Sequence, residues 1–213
     1  MGHLQIKETV YERDLGVQID NDLKFHDHAA RVIKKCKSLL AIIKRCFACL
    51  DRRMITRLYK ALIRPVLEYG NSVWGPCYKG DQDALEKLQR RTTKMVQGLR
   101  HVPYQDRLRQ LDLPSLAYRR IRGDMIIIYK LITGKIQADT GMVQVERGPY
   151  RTRGHSLRMK KVRATKQVRR NYLLIRAVNK WNSLPERVVS AENTLLFKIR
   201  LDTFLKEQSI GIE

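Results

Sequence analysis

Asp20 and Asp22, two carboxylates two residues apart, are the first residues along this chain whose type and spacing suit chemistry. On a strand they would share a face and have the donors to hold Mg²⁺. Their setting, Ile19-Asp20-Asn21-Asp22, favours another role, because Asn and Asp settle in turns and cap the helix that follows. Cys46-x-x-Cys49 has the spacing of half a zinc site or of a redox pair. A structural zinc takes four ligands, and Cys36, Cys77, His26 and His28 stand at no recognised spacing from that pair. Cys36 instead shares an apolar helical stripe with Phe47, which makes it a packing residue. His26-x-His28 would need a Cys or Ser nucleophile from elsewhere, and nothing in the sequence points to one. No metal, no other cofactor and no small-molecule substrate is expected.

The basic residues offer chemistry of a different kind. Lys and Arg number 43 against 21 Asp and Glu, and a net charge of +22 repels itself unless it meets a polyanion. Arg90, Arg91 and Lys94 lie three and four residues apart and are neighbours on a helix. Arg119, Arg120 and Arg122 form a second such group. Each alone is compatible with an ordinary solvated helix face. Between residues 147 and 185, however, the chain holds twelve Lys or Arg and no Asp or Glu. Arg151, Arg153, Arg158, Lys160, Lys161, Arg163, Lys166, Arg169 and Arg170, with Tyr150 and Tyr172 nearby, suit a surface that tracks a phosphate backbone and offers rings for stacking. Lys160 to Arg163 also has the composition of a nuclear localisation patch, so the expected location is intracellular and nuclear. Membrane is the weaker partner. The longest strongly apolar run, Met125 to Tyr129, is far short of a span. The first residues carry no apolar signal region, and four cysteines fit reduced thiols inside a cell.

Helices are the elements that must position these residues. Residues 4–20 alternate weakly around Gly16 and predict a hairpin or two short strands. From Ala29 the pattern turns helical, with Val32, Ile33, Cys36, Leu39, Leu40, Ile43, Phe47 and Leu50 at three- and four-residue spacing. A second helical stripe runs through Met54, Leu58, Leu62, Val66 and Val73, with a kink expected at Pro65. A third helix begins near Asp81 or Asp83 and carries Leu85, Leu88, Thr92, Met95, Val96 and Leu99, with its end expected from Gly98. A short segment follows Pro103, and a longer helix follows Pro114-Ser115 until Gly134. Leu157, Met159, Val162 and Val168 suggest short strand pieces in the basic stretch. Helical spacing returns at Tyr172 to Trp181 and again from Leu196 to Phe204, with Asn193-Thr194 as an N-cap. Trp74 and Trp181 each close an apolar stripe and are expected to be buried. The fold class is mainly α: a short N-terminal β segment, a helical bundle, and a basic, partly irregular extension closed by two helices.

Several strings recur in a telling order. Asp14-Leu15-Gly16-Val17-Gln18-Ile19-Asp20 is followed by Leu23-Lys24-Phe25-x-x-His28 and then by Leu62-Ile63-Arg64-Pro65-Val66-Leu67-Glu68-Tyr69-Gly70 with Val73-Trp74-Gly75-Pro76. Leu88-Gln89-Arg90-Arg91-Thr92-Thr93-Lys94 and Trp181-Asn182-Ser183-Leu184-Pro185-Glu186 complete the series. In this order they resemble the C-terminal third of reverse transcriptases of non-LTR, LINE-type (jockey-like) retrotransposons, from about Arg13 to Phe204. The resemblance implies a palm or primer-grip remnant over 1–24, a thumb-like bundle over 25–135 and a basic C-terminal region over 136–213. It also implies an RNA template, or its hybrid with DNA, as partner, and a structural role for His28. Enzymes of that family carry a Tyr-x-Asp-Asp strand, and no Asp-Asp pair occurs in this chain. The chain as it stands is therefore expected to bind rather than polymerise. Two alternatives stay open: a free-standing or host-adopted basic RNA- or DNA-binding protein, and a non-functional transposon-derived interaction scaffold.

Overall fold

The computed structural model describes residues 9–137, 145 and 154–210. It is mainly helical, with one two-stranded antiparallel sheet near the N-terminus. Among the described residues, no helix is long and apolar enough to cross a membrane. The chain divides into two compact units, residues 1–117 and 118–213.

The first unit opens with β1 (Tyr11–Asp14) and β2 (Val17–Asp20), paired so that Asp14 faces Val17. Leu15 and Gly16 form the two-residue turn with φ of 44° and 86°, the doubly left-handed geometry that matches strand twist. Asp20 ends β2 and receives the backbone N–H groups of Lys24 at 2.9 Å and Phe25 at 2.7 Å. These bonds set the entry to α1 (His26–Cys46), which buries Ala29, Val32, Cys36, Leu40 and Ile43 as its periodicity requires. Asp51 caps α2 (Arg52–Leu58) by accepting the Met54 N–H at 2.6 Å.

The expected interruption at Pro65 takes the form of a π-helical turn, Tyr59–Ile63, ahead of α3 (Arg64–Glu68). The wider turn relieves the clash that the proline ring would make in a regular ladder. Gly70, at φ 63°, then turns the chain into α4 (Asn71–Trp74). A Cβ at Gly70 would stand 3.0 Å from Val17, so this corner closes only around glycine. Trp74 is buried, with its indole N–H donating to the Tyr69 carbonyl at 2.6 Å.

α5 (Lys79–Thr93) and α6 (Tyr104–Leu111) complete the first core. Gln89 is fully buried and braced from two sides. It accepts from the Tyr59 hydroxyl at 3.0 Å and donates to the Pro114 carbonyl at 2.9 Å. Arg107 is buried too, donating to the Thr93 hydroxyl at 3.0 Å and the Val102 carbonyl at 2.8 Å.

The unit boundary falls in the first turn of α7 (Leu116–Ile132). The expected bundle reached residue 135, but Met125, Ile128 and Tyr129 of this helix pack in the second core. Partners for those three come from α9 (Leu173–Asn182), α10 (Glu186–Val189) and α11 (Thr194–Ile210), far along the chain. Tyr129 stacks on Phe197 with ring centroids 4.2 Å apart and donates to the Ala191 carbonyl at 2.7 Å. Asn193 caps α11 by accepting the Leu196 N–H at 2.8 Å. Of the suggested strand pieces, Met159 makes one isolated bridge with Val145, whereas Val168 lies in the short α8 (Gln167–Asn171).

The polar residues of the Trp-Asn-Ser-Leu-Pro-Glu string bind a strap, residues 155–159, onto α9 and α10. Asn182 exchanges two hydrogen bonds with the Met159 backbone, at 2.9 and 2.8 Å. Glu186 accepts from the Ser156 N–H at 2.7 Å and its hydroxyl at 2.8 Å. The Trp181 indole donates to the Leu157 carbonyl at 2.8 Å. Side chains here do what a neighbouring strand would otherwise do for an irregular backbone.

Candidate nucleic-acid interface

In the first unit, basic residues distant in sequence line two adjoining cavities of about 1230 and 460 Å³. α1 contributes Lys37 and Lys44, and α5 contributes Lys87, Arg90 and Arg91, with Lys94 just past its end. The segment leading into α6 adds Arg100 and His101. Asp83 is the one carboxylate among the described lining residues of the larger cavity, and the smaller has none. The cations reach outward because the same helices bury other positions, Val32 and Cys36 on α1 and Leu85 and Thr92 on α5, while buried Leu40 and Leu88 form part of the cavity floor.

Tyr104 forms part of the trough wall and holds its cations in place. The Arg90 and Arg107 guanidinium carbons lie 4.8 and 5.5 Å from its ring centroid. Its hydroxyl donates to Glu86 at 2.5 Å, and Glu86 also accepts the Leu116 N–H at 3.2 Å. Burial, reinforced by Glu86, pushes the phenol far above its ordinary value, so it stays neutral. Arg91, Lys94, Lys37 and Lys44 are exposed, and among the described residues none of them is held by a carboxylate.

The expected site residues therefore fall into three groups. Arg90, Arg91 and Lys94 are brought together, with Lys37, Lys44, Lys87 and Arg100 as companions that the sequence does not single out. On α7 the arrangement differs: Arg122 forms a two-pronged pair with Asp202, at 2.5 and 2.9 Å, and Tyr118 donates to the same carboxylate at 3.1 Å. Burial alone would raise the Asp202 pKa, but the Arg122 hydrogen bonds and charge prevail and hold it below its ordinary value. Arg122 is thus committed to the fold of the second unit. Arg119 and Arg120 beside it are half-buried and make polar contacts of their own.

The acid-free stretch divides in turn. Arg151 and Arg153, with Arg147, Gly148, Pro149 and Tyr150, lie outside the described residues. Arg158 is half-buried against Gly154. Arg176 pairs through both prongs with Asp124 of α7, at 2.9 and 2.8 Å, so a partner for this stretch comes from outside it. Lys160, Lys161, Arg163, Lys166 and Arg169 are exposed just beyond the strap, with Tyr172 48% exposed near them. Arg170 is exposed but donates to the Ala164 carbonyl at 3.0 Å.

The other candidates have local roles. Both Asp20 oxygens accept backbone N–H groups at the α1 entry, and Asp22 pairs with Lys24 at 2.8 Å. Among the described residues no group of His, Cys, Asp or Glu is placed to hold a metal ion. Cys36 is buried, which pushes its thiol up to about 12, while Cys46 and Cys49 are exposed. His26 meets Asp81 at 2.7 Å, and His28 is buried edge-on against Trp74 with ring centroids 4.7 Å apart.

No protein-family profile matches this chain, and no solved structure matches it. It is 28% identical over 129 residues to an uncharacterized protein of Caenorhabditis elegans. That similarity covers 57% of this chain, and the chain spans 63% of the relative's length.

Proposed function

We propose that this protein binds nucleic acid through its phosphates and corresponds to the thumb and following region of a non-LTR retrotransposon reverse transcriptase. The observation that carries the binding reading is the trough of the first unit. Three segments converge there with Lys37, Lys44, Lys87, Arg90, Arg91, Lys94 and Arg100, and one carboxylate among them. Among the described residues no carboxylate pairs with Lys37, Lys44, Arg91 or Lys94, and such a wall suits a polyanion lying along it. Contacts of this kind fix position and affinity and carry little base information. The family reading is supported by the ordered strings, whose members have distinct structural roles: Gln89 as a brace, Arg90, Arg91 and Lys94 on the trough, Trp181 to Glu186 as the clamp on the strap. An RNA template or its hybrid with DNA is the partner this reading favours. Among the described residues no group of carboxylates is placed to hold a metal ion, and both Asp20 oxygens accept backbone N–H groups.

The test is fluorescence anisotropy with a labelled RNA–DNA hybrid across a salt series. Each phosphate neutralised contributes about −0.9 to the log–log slope on B-DNA and about −0.7 on single strands. Changing Lys37, Arg91 and Lys94 together to Gln should flatten the slope by roughly two units. An unchanged slope would remove the trough from the interface.

A further inference from the structure

A second basic cavity, of about 350 Å³, lies where the hairpin turn, α1 and α3 meet. Arg13, Arg31 and Lys35 supply its charge, and no carboxylate is among its described lining residues. Its apolar wall comes from Leu15, Val32, Pro65 and Val66, with Tyr69 beside them. Tyr69 is 57% exposed, yet its hydroxyl is fixed by donating to the Leu15 carbonyl at 2.7 Å, so the ring is held in place. Along α1, at about 3.6 residues per turn, Arg31 and Lys35 fall nearly opposite Lys37 and Lys44. This cavity is therefore a separate site from the trough.

His28 supplies an independent observation. It lines the same cavity, is only 4% exposed, and accepts the Gln18 N–H on Nδ1 at 3.1 Å. The neutral ring must then carry its proton on Nε2, and that buried nitrogen has no partner. A buried donor left unmade is costly, and in a native fold it calls for a specific explanation, of which a bound ion is one. His155, the buried histidine of the second unit, also accepts on Nδ1, but its Nε2 donates to the Trp181 carbonyl at 2.9 Å.

We propose that this cavity binds a phosphate monoester carried on a planar aromatic body, that is, a mononucleotide or the 5′-phosphorylated end of a strand. A monoester carries about −1.5 to −2 charges at pH 7, which Arg13, Arg31 and Lys35 balance, and its three acceptor oxygens answer the guanidinium and ammonium donors. The fixed Tyr69 ring, at the rim with Pro65 and Val66, offers the base an apolar surface. A phosphodiester passing through a strand presents less charge and no free end, so this chemistry differs from that of the trough.

The experiment is calorimetric titration of the full chain with adenosine 5′-monophosphate, read in parallel by the ¹⁵N resonances of histidine-labelled protein. Saturable binding is expected, with one buried imidazole shifting. The double variant R13Q/K35Q, both at exposed side chains, should bind at least tenfold more weakly. R91Q/K94Q, in the trough, should bind the nucleotide within twofold of native while losing affinity for the hybrid. Competition by a 5′-phosphorylated oligonucleotide, but not by its 5′-hydroxyl form, would assign the site to strand ends. Binding of the nucleotide without such competition would assign it to free nucleotides. Absence of saturation, or equal affinity in R13Q/K35Q and native protein, would overturn the proposal and leave the trough untouched. Loss of nucleotide binding in R91Q/K94Q would also overturn it, because the two sites would then be one.

Discussion

Each unit of this protein is built around a buried histidine set edge-on to a buried tryptophan. In the first, His28 and Trp74 lie with ring centroids 4.7 Å apart and planes at 66°. In the second, His155 and Trp181 lie 5.7 Å apart at 88°. The surroundings then diverge. His155 has both ring nitrogens bonded to backbone, and Arg122 and Arg176 of the same unit are locked onto Asp202 and Asp124. His28 keeps one nitrogen unmatched, and exposed cations of its unit line two basic concavities, at the trough and beside His28, with one carboxylate among them. The same residue types are thus held by carboxylates at Arg122 and Arg176 of the second unit and line concavities in the first. Net charge alone does not distinguish these uses; the position of carboxylates does.

The largest effect that tests this contrast is removal of the tryptophans. Trp181→Ala and Trp74→Ala should each cost roughly 3–5 kcal/mol of unfolding free energy, measured by urea titration. That is a large share of the total stability of a small domain. If Trp74→Ala leaves stability unchanged and weakens nucleic-acid binding instead, Trp74 belongs to the interface and the symmetry between the pairs is false.

Next in size is the exchange of arginines. Removing one partner of a fully buried ion pair costs about 3–5 kcal/mol. The Arg176 and Asp124 side chains keep 21% and 11% exposure, so solvent screens part of this, and Arg176→Ala should cost about 1–3 kcal/mol. Arg91→Ala, on an exposed position of the trough, should stay within about 0.5 kcal/mol of native stability while weakening binding. Hybrid affinity that falls equally in both variants would make Arg176 a contact rather than a strut.

The histidines separate the units by pH. Burial holds His28 below its ordinary value, aided by Arg31, and burial does the same for His155 against opposing help from the Trp181 carbonyl and Glu186. In each case the unfolded chain binds a proton more readily than the folded one. Stability is therefore complete above pH 6.5 and declines as pH falls through the window between 6.5 and the lowered folded value. Thermal unfolding at pH 7.5 and 5.5 should show a lower midpoint at the acid end, and His28→Gln should reduce that difference. A flat profile between the two pH values would mean both rings charge freely in the folded state.

Much of this architecture was legible from periodicity. The α1 stripe, the Asn193 cap and the burial of Trp74 and Trp181 follow from spacing and residue type, because each depends on neighbours within a turn or two. What periodicity does not carry is which distant residue meets a side chain. Arg122 and Arg91 look alike in the sequence, and only the 80-residue return of α11 brings Asp202 to the first. Lys37 and Lys44 look like solvated positions of α1 until α5 packs beside it and turns them into one wall of a cavity. The π turn before Pro65 was likewise read only as a kink, since a proline announces strain but not the geometry that relieves it.

The smallest expected difference lies between the trough and the exposed cations beyond the strap. Lys160, Lys161 and Arg163 are exposed, unmatched by carboxylates among the described residues, and close in sequence. Lys37, Arg91 and Lys94, by contrast, line one hollow from α1 and the C-terminal end of α5. A strand in a hollow meets all three at once. On an open segment each contact forms singly, and long side chains lose rotamer freedom for each one made. Changing Lys160, Lys161 and Arg163 to Ala should therefore flatten the salt slope by about one unit, against roughly two for the trough triple. Neither change should alter sequence preference, since phosphate contacts carry none. A slope that flattens more in the strap variant than in the trough variant would reverse the order. The second unit would then be the principal binding surface, and the acid-free stretch would matter more than the concave wall of the first.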